Sequence, residues 1–142
     1  MKIREINRFS MRVFNAVSGL LPQLDPGAVL PTEEHLRNVL KSAGTHFFIA
    51  EEKKKITGMM TIVTYAVPTG IRVWIEDVVV DESQRGKGIG KELINYALGF
   101  AGSMGAESVD LTSRPFRIAA NQLYKKSGFA IRETNVYRYT LK

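Results

Sequence analysis

The stretch "VVVDESQRGKGIGKELI", which runs from Val78 to Ile94, constrains the fold of this chain more than any other segment. It begins as a run of branched apolar residues typical of a buried strand and ends in the pattern of an amphipathic helix. Between the two lie three glycines and three cations within seven positions. With the strand-like "ESVDLT" that follows, this predicts parallel strands joined by a right-handed helical crossover.

The glycines predict a loop that binds an anion. Glycine lets the backbone turn sharply and leaves amide hydrogens uncovered, while the free amides and the dipole of a helix N-terminus favour negative charge. Arg85 and Lys87 add mobile positive charge. A tight turn with a solvated basic face explains the same residues equally well.

Two familiar phosphate-binding motifs do not fit this loop. In a P-loop alignment, Arg85 occupies the first glycine position and Glu92 the final Ser or Thr position. The dinucleotide fingerprint fails as well, because counting from Gly86 or from Gly88 places no glycine at the sixth position. What remains is the pattern Arg-x-x-Gly-x-Gly at a strand-to-helix junction.

The rest of the chain predicts a mixed α/β domain. Helices are expected at about 10–19, 32–44, 86–104 and 113–128, and the proline-rich "LLPQLDPGAVLP" is expected to be a loop. Strands are expected at about 1–7, 46–51, 56–65, 72–80 and 107–112, and as a closing antiparallel pair at 129–133 and 136–141.

Composition limits the class of protein. The chain has 142 residues, which suits one domain, and 44% hydrophobic against 24% charged residues is a globular balance. It has no cysteine, and His35 and His46 are isolated, so we predict no metal site.

No apolar run approaches the ~20 residues of a membrane helix, and the N-terminus lacks a signal-peptide core, so we predict a cytoplasmic protein without membrane attachment. The net charge of +6 favours anionic partners, but the cations are scattered, which disfavours nucleic acid.

Arg85, Gly88 and Gly90 after a central strand, with "LYKKSGF" downstream, resemble the motifs of the GNAT superfamily of acetyl-CoA-dependent N-acetyltransferases. The resemblance covers roughly residues 45–142. It implies that residues 1–142 form one GNAT domain, with a mostly antiparallel sheet, helices on both faces and a splayed parallel strand pair at the CoA site. It also implies transfer of acetyl from acetyl-CoA to an amine-bearing acceptor, directly in a ternary complex, since no cysteine is present for a covalent intermediate.

The same resemblance assigns residues to acetyl-CoA. Backbone groups at the end of the strand would bond the pantetheine arm, the loop amides would bind the pyrophosphate, and Tyr124 would protonate the departing sulfur. Asn121 would bond the pantetheine or a water. The assigned residues are Val78, Val79, Val80, Gln84, Arg85, Gly86, Lys87, Gly88, Ile89, Gly90, Lys91, Asn121 and Tyr124.

Two carboxylates precede the valine run, and acetylation of an amine needs a base. An alkylammonium with a pKa of about 10 must lose a proton before it attacks. A regular strand would point Glu76 and Asp77 to opposite faces, so that only one could face the acceptor. Glu76 is the predicted base or amine-orienting group, and Asp77 is the alternative. The competing structural explanation is that each carboxylate is simply paired with a neighbouring arginine or backbone amide and has no role in the reaction.

The sequence leaves other questions open. The sequence does not identify the acceptor. Polyamines and hexosamine phosphates are both candidate classes, because GNAT enzymes that act on them carry a strand similar to "IEDVVV". A non-catalytic acyl-CoA-binding domain is the alternative function. The C-terminal strands could supply an edge for a homodimer.

Overall fold

A computed structural model describes all residues, 1–142, as one antiparallel sheet with four helices. The strands are β1 (Lys2–Glu5), β2 (Thr45–Glu52), β3 (Lys55–Val67) and β4 (Gly70–Val80), and they lie in the order β1-β2-β3-β4. The helices are α1 (Met11–Leu24), α2 (Glu33–Lys41), α3 (Ile89–Ser103) and α4 (Ile118–Lys126). The predicted α/β class is confirmed. None of these helices has the length and apolar character needed to cross a bilayer.

The sheet has a hydrophobic core on each face, because β2 is apolar at successive positions and successive side chains point to opposite sides. Phe47 and Ile49 pack in the core formed with α1 and α2, whereas Phe48 and Ala50 pack in the core formed with α3 and α4. The predicted covering of both faces by helices is therefore confirmed.

The first helix continues past its predicted end. Its N-cap is the predicted Ser10, whose Oγ accepts a hydrogen bond from the Val13 amide at 3.2 Å. The predicted loop is wrong for residues 20–24, which stay helical through Pro22. Leu20 is buried, and Leu24 packs against the same core. This packing outweighs the amide hydrogen bond that proline removes.

A β-bulge interrupts β4 at the two carboxylates. Glu76 pairs with Thr61 and Val79 pairs with Met59, so two residues of β4, one of them Asp77, oppose one residue of β3. Asp77 has a φ of +50°, in the left-handed region. The extra residue reverses the alternation of side chains beyond it. The expectation that Glu76 and Asp77 point to opposite faces is therefore wrong.

The predicted strand at 107–112 is reduced to one parallel bridge beside β4. The Ile75 amide donates to the Asp110 carbonyl at 3.0 Å, and the Asp110 amide donates to the Val73 carbonyl at 3.0 Å. No further backbone hydrogen bond joins the two segments. The predicted parallel pair is thus joined at a single point, and the outer edge of β4 is unpaired from Glu76 onwards.

The predicted C-terminal strand pair is wrong. Residues 130–142 contain no strand and make no backbone–backbone hydrogen bond. Strand propensity is realised only when a partner edge is available, and the neighbouring segment makes a single bridge itself. Helix α4 also begins later than predicted, because residues 114–117 form a turn in which the Arg117 amide donates to the Arg114 carbonyl at 3.0 Å.

Candidate active site

The loop between β4 and α3 carries a row of free backbone donors. A single 3₁₀ turn, Glu82–Gln84, follows β4, and Asp81 caps it by accepting from the Ser83 amide at 3.3 Å. No acceptor in the protein receives the amide hydrogen of any residue from 85 to 91. The first hydrogen bond of α3 runs from the Glu92 amide to the Gly88 carbonyl at 3.1 Å. Seven consecutive amides are therefore available to an anion.

The glycines of this loop have two different reasons to be there. Gly86 and Gly88 have φ values of +80° and +84°, and a Cβ on either would meet no heavy atom within 4 Å. Their backbone conformation, rather than crowding within the protein, requires glycine, and it delays the start of α3 to Ile89 instead of the predicted Gly86. A Cβ on Gly90 would lie 3.1 Å from Leu123 Cδ2, so this glycine allows α3 and α4 to approach closely.

Two loop side chains are held by local hydrogen bonds. Arg85 Nε donates to the Val80 carbonyl at 3.2 Å, which folds the arginine back over the end of β4. Lys87 Nζ donates to Gln84 Oε1 at 3.0 Å. Both cations thus stay beside the free amides and add to the positive potential of the loop.

Tyr124 lies on α4 with its ring in the core beneath α3. It is only 7% exposed, and its ring meets the edge of Phe129 at a centroid distance of 6.0 Å. Desolvation raises the pKa of Tyr124, and the nearby charge of Arg117 opposes that rise. The hydroxyl makes no hydrogen bond within the protein. It is therefore protonated at neutral pH and available as a donor.

Asn121 has a contact that the sequence did not indicate. Its Nδ2 donates to the Arg114 carbonyl at 2.9 Å and to the Arg117 carbonyl at 2.8 Å. The side-chain amide nitrogen of Asn121 therefore holds the turn that precedes α4. Asn121 lines the same cleft as Tyr124. In this arrangement its side-chain oxygen is the group left for the predicted contact with pantetheine or water.

The two carboxylates lie on the opposite face of the sheet from Tyr124. A cleft of about 560 Å³ lies among α1, α2 and their connection, and both Asp77 and Thr61 line it. Glu76 is paired with Thr61 across the strands and so lies on the same face, but it is not part of the lining. Desolvation raises the pKa of both carboxyls, and repulsion from Asp77 adds to the rise for Glu76.

This geometry agrees with the comparison against known families. The model of the acetyltransferase (GNAT) family matches residues 12–129, most of the chain. The chain belongs to the GNAT family. The expected GNAT fold is confirmed by solved structures as well, since a putative acetyltransferase from Agrobacterium tumefaciens superposes with a TM-score of 0.87 at 21% identity, covering 99% of this chain and 100% of that one.

Other GNAT relatives are named for particular activities. An aminoglycoside acetyltransferase from an uncultured soil metagenomic sample, solved in complex with trehalose, superposes with a TM-score of 0.87 at 25% identity over 99% of this chain and 96% of that one. Human N-acetyltransferase 8 is 30% identical over 95 residues, which are 66% of this chain and 42% of the relative. The chain thus spans less than half the length of that curated relative.

Proposed function

We propose that this GNAT protein transfers the acetyl group of acetyl-CoA to a primary amine. The observation that carries the proposal is the row of seven free amides at the start of α3, in a chain whose family is one of acetyltransferases. Free amides at a helix N-terminus suit a pyrophosphate, because they supply many fixed donors together with the positive end of the dipole. Lys91 and the held side chains of Arg85 and Lys87 add counter-charge.

The unpaired edge of β4 supports a position for the rest of the cosubstrate. Beyond Ile75 this edge has no strand neighbour, so its backbone groups can bond an extended arm as an added strand would. We assign this role to residues 78–80. The arm then runs from the loop into the gap between β4 and the segment after Asp110, with Tyr124 on one side of the sheet and Asp77 on the other.

The reaction follows from these positions. We assign the acceptor to the cleft of about 560 Å³ that Asp77 lines. Asp77 takes a proton from the bound ammonium, and the free amine attacks the thioester carbonyl carbon. A carbon–nitrogen bond forms as the carbon–sulfur bond breaks, and the departing sulfur receives the proton of the Tyr124 hydroxyl. The nitrogen loses its second proton to solvent as the amide forms. Tyr124 regains a proton from solvent and Asp77 gives up to solvent the proton that it took, so one proton is released overall. We therefore assign the base to Asp77 and not to the predicted Glu76, because only Asp77 lines the cleft.

Calorimetric titration of acetyl-CoA tests the cosubstrate site. Gly88→Glu places bulk and negative charge beside the free amides, and we expect it to abolish the binding that the wild type shows. Gly105→Glu is a matched control, because Gly105 has a φ of +78° and a Cβ there also meets no heavy atom within 4 Å. Equal loss of binding in both variants, or no binding by the wild type, would contradict the proposed site.

A further inference from the structure

The cleft assigned to the acceptor, a space of about 560 Å³ among α1, α2 and their connection, is mainly apolar. Ten of its sixteen lining residues are hydrophobic, and a volume of this size suits a small ligand. Leu21 and Val39 contribute to its helical walls, and Met59 contributes from the sheet. Val29 and Leu30 form its lip on the α1–α2 connection, and they are 94% and 46% exposed. Most of the surface that an acceptor would meet is hydrocarbon.

The charges of the cleft are few and of one sign. No lysine or arginine lines it, its one histidine is His35, and its only carboxylates belong to Asp25 and Asp77. Asp25 Oδ1 accepts a hydrogen bond from the Gly27 amide at 3.0 Å, so this group is already engaged in its own turn. A phosphate or carboxylate on the acceptor would find no lysine or arginine here, and burying it unpaired would be costly. A second or third ammonium would find little counter-charge.

We infer that the acceptor is a small primary monoamine with an apolar body. The inference rests on the proposed function and specifies its substrate class. The single ammonium lies at Asp77, beside the gap for the thioester, and the apolar body covers the cleft walls and the exposed lip. Burial of that body removes apolar surface of both partners from water, which favours binding.

A panel of amines tests this substrate class. Phenethylamine is compared with phenylalanine, spermidine, glucosamine 6-phosphate and an apolar dipeptide, each with acetyl-CoA, and released thiol is followed with an aromatic disulfide reagent. The chain has no cysteine, so the protein itself does not react. We expect kcat/KM for phenethylamine to exceed the value for each of the other amines by at least about tenfold. Leaving a charge buried and unpaired typically lowers kcat/KM by more than that.

A pair of variants tests the apolar lip. Leu30→Glu places a charge on the lip of the cleft, and we expect the KM for phenethylamine to rise by about tenfold or more. Ile71→Glu is the control, since Ile71 is 41% exposed and lies near the start of β4, outside the lining of the cleft. Neither variant is expected to change the affinity for acetyl-CoA in calorimetry.

The outcomes separate the two proposals. If acetyl-CoA binds but the polyamine, the sugar phosphate, the amino acid or the dipeptide is preferred, or if no monoamine is acetylated, the inference is overturned while the cosubstrate site stands. An equal rise in KM for both variants also overturns it. If acetyl-CoA does not bind to the folded wild type, the proposed function itself fails.

Discussion

Replacing Asp77 by asparagine should expose the role of the base most directly. Asparagine has nearly the same shape and, like aspartate, tolerates a left-handed backbone, so the bulge at φ +50° should survive the change. Glu76→Gln is the matched control, because it removes the neighbouring carboxylate on the same face of the sheet without altering the lining of the cleft.

The size of the effect follows from the acceptor's protonation. At pH 7 only about one alkylamine molecule in 10³ is unprotonated, because its pKa is about 10. With Asp77 present, the bound ammonium can be deprotonated in place. Without it, only the free amine is productive, so kcat/KM at pH 7 should fall by up to about 10³-fold, within the usual range for a general base.

A pH profile of kcat/KM between pH 6 and pH 10 distinguishes the possibilities. For Asp77→Asn we expect the value to rise about tenfold per pH unit and to approach the wild type near pH 10, whereas Glu76→Gln should keep a profile close to that of the wild type. A steep profile for Glu76→Gln and a flat one for Asp77→Asn would assign the base to Glu76. Parallel profiles for all three proteins would refute both assignments.

Three further results are expected. Tyr124→Phe should lower kcat by about 10²-fold or more while calorimetry shows unchanged acetyl-CoA affinity, and unchanged turnover would remove Tyr124 from the mechanism. Desolvation raises the pKa of the Asp77 carboxyl, so its ionisation destabilises the folded state at pH values above the ordinary pKa of aspartate. Asp77→Asn should therefore melt at a higher temperature than the wild type at pH 7 but not at pH 3. The opposite order would contradict the direction of the pKa shift. Gly44→Ala would put a Cβ 2.4 Å from the Thr64 carbonyl oxygen, and urea unfolding should show a loss of more than ~2 kcal/mol, against about 1 kcal/mol for Gly128→Ala, where no atom lies within 4 Å.

The features that the sequence predicts well are those determined by neighbouring residues. Thr32 caps α2 as predicted, with its Oγ1 accepting from the His35 amide at 3.0 Å. The three strands between 45 and 80 form the predicted antiparallel meander. The glycine loop stands at the predicted strand-to-helix junction, because φ values above zero and free helical amides are local properties of residues 85–91.

The features that the sequence misses depend on partners distant in the chain. The bulge has no glycine or proline to mark it, and only pairing with β3 shows that Asp77 is the extra residue. One signal was available, since a charged residue interrupts the apolar positions Val73, Ile75 and Val79. The helical state of Pro22 depends on packing against the sheet, and the C-terminal segment lacks the edge that its alternating pattern would need.

With the binding sites that we propose, the two cores on opposite faces of the sheet would make acceptor choice separable from cosubstrate binding. Residues 11–41 carry most of the cleft and pack on one face, while the loop amides and α4 belong to the other. The two sides meet where Gln23 of α1 accepts a hydrogen bond from the Glu82 amide at 2.8 Å, so the free energies of substitutions distant from that contact should add. A lineage of such proteins could therefore exchange one amine for another by altering a short N-terminal region, while its acyl donor stayed the same.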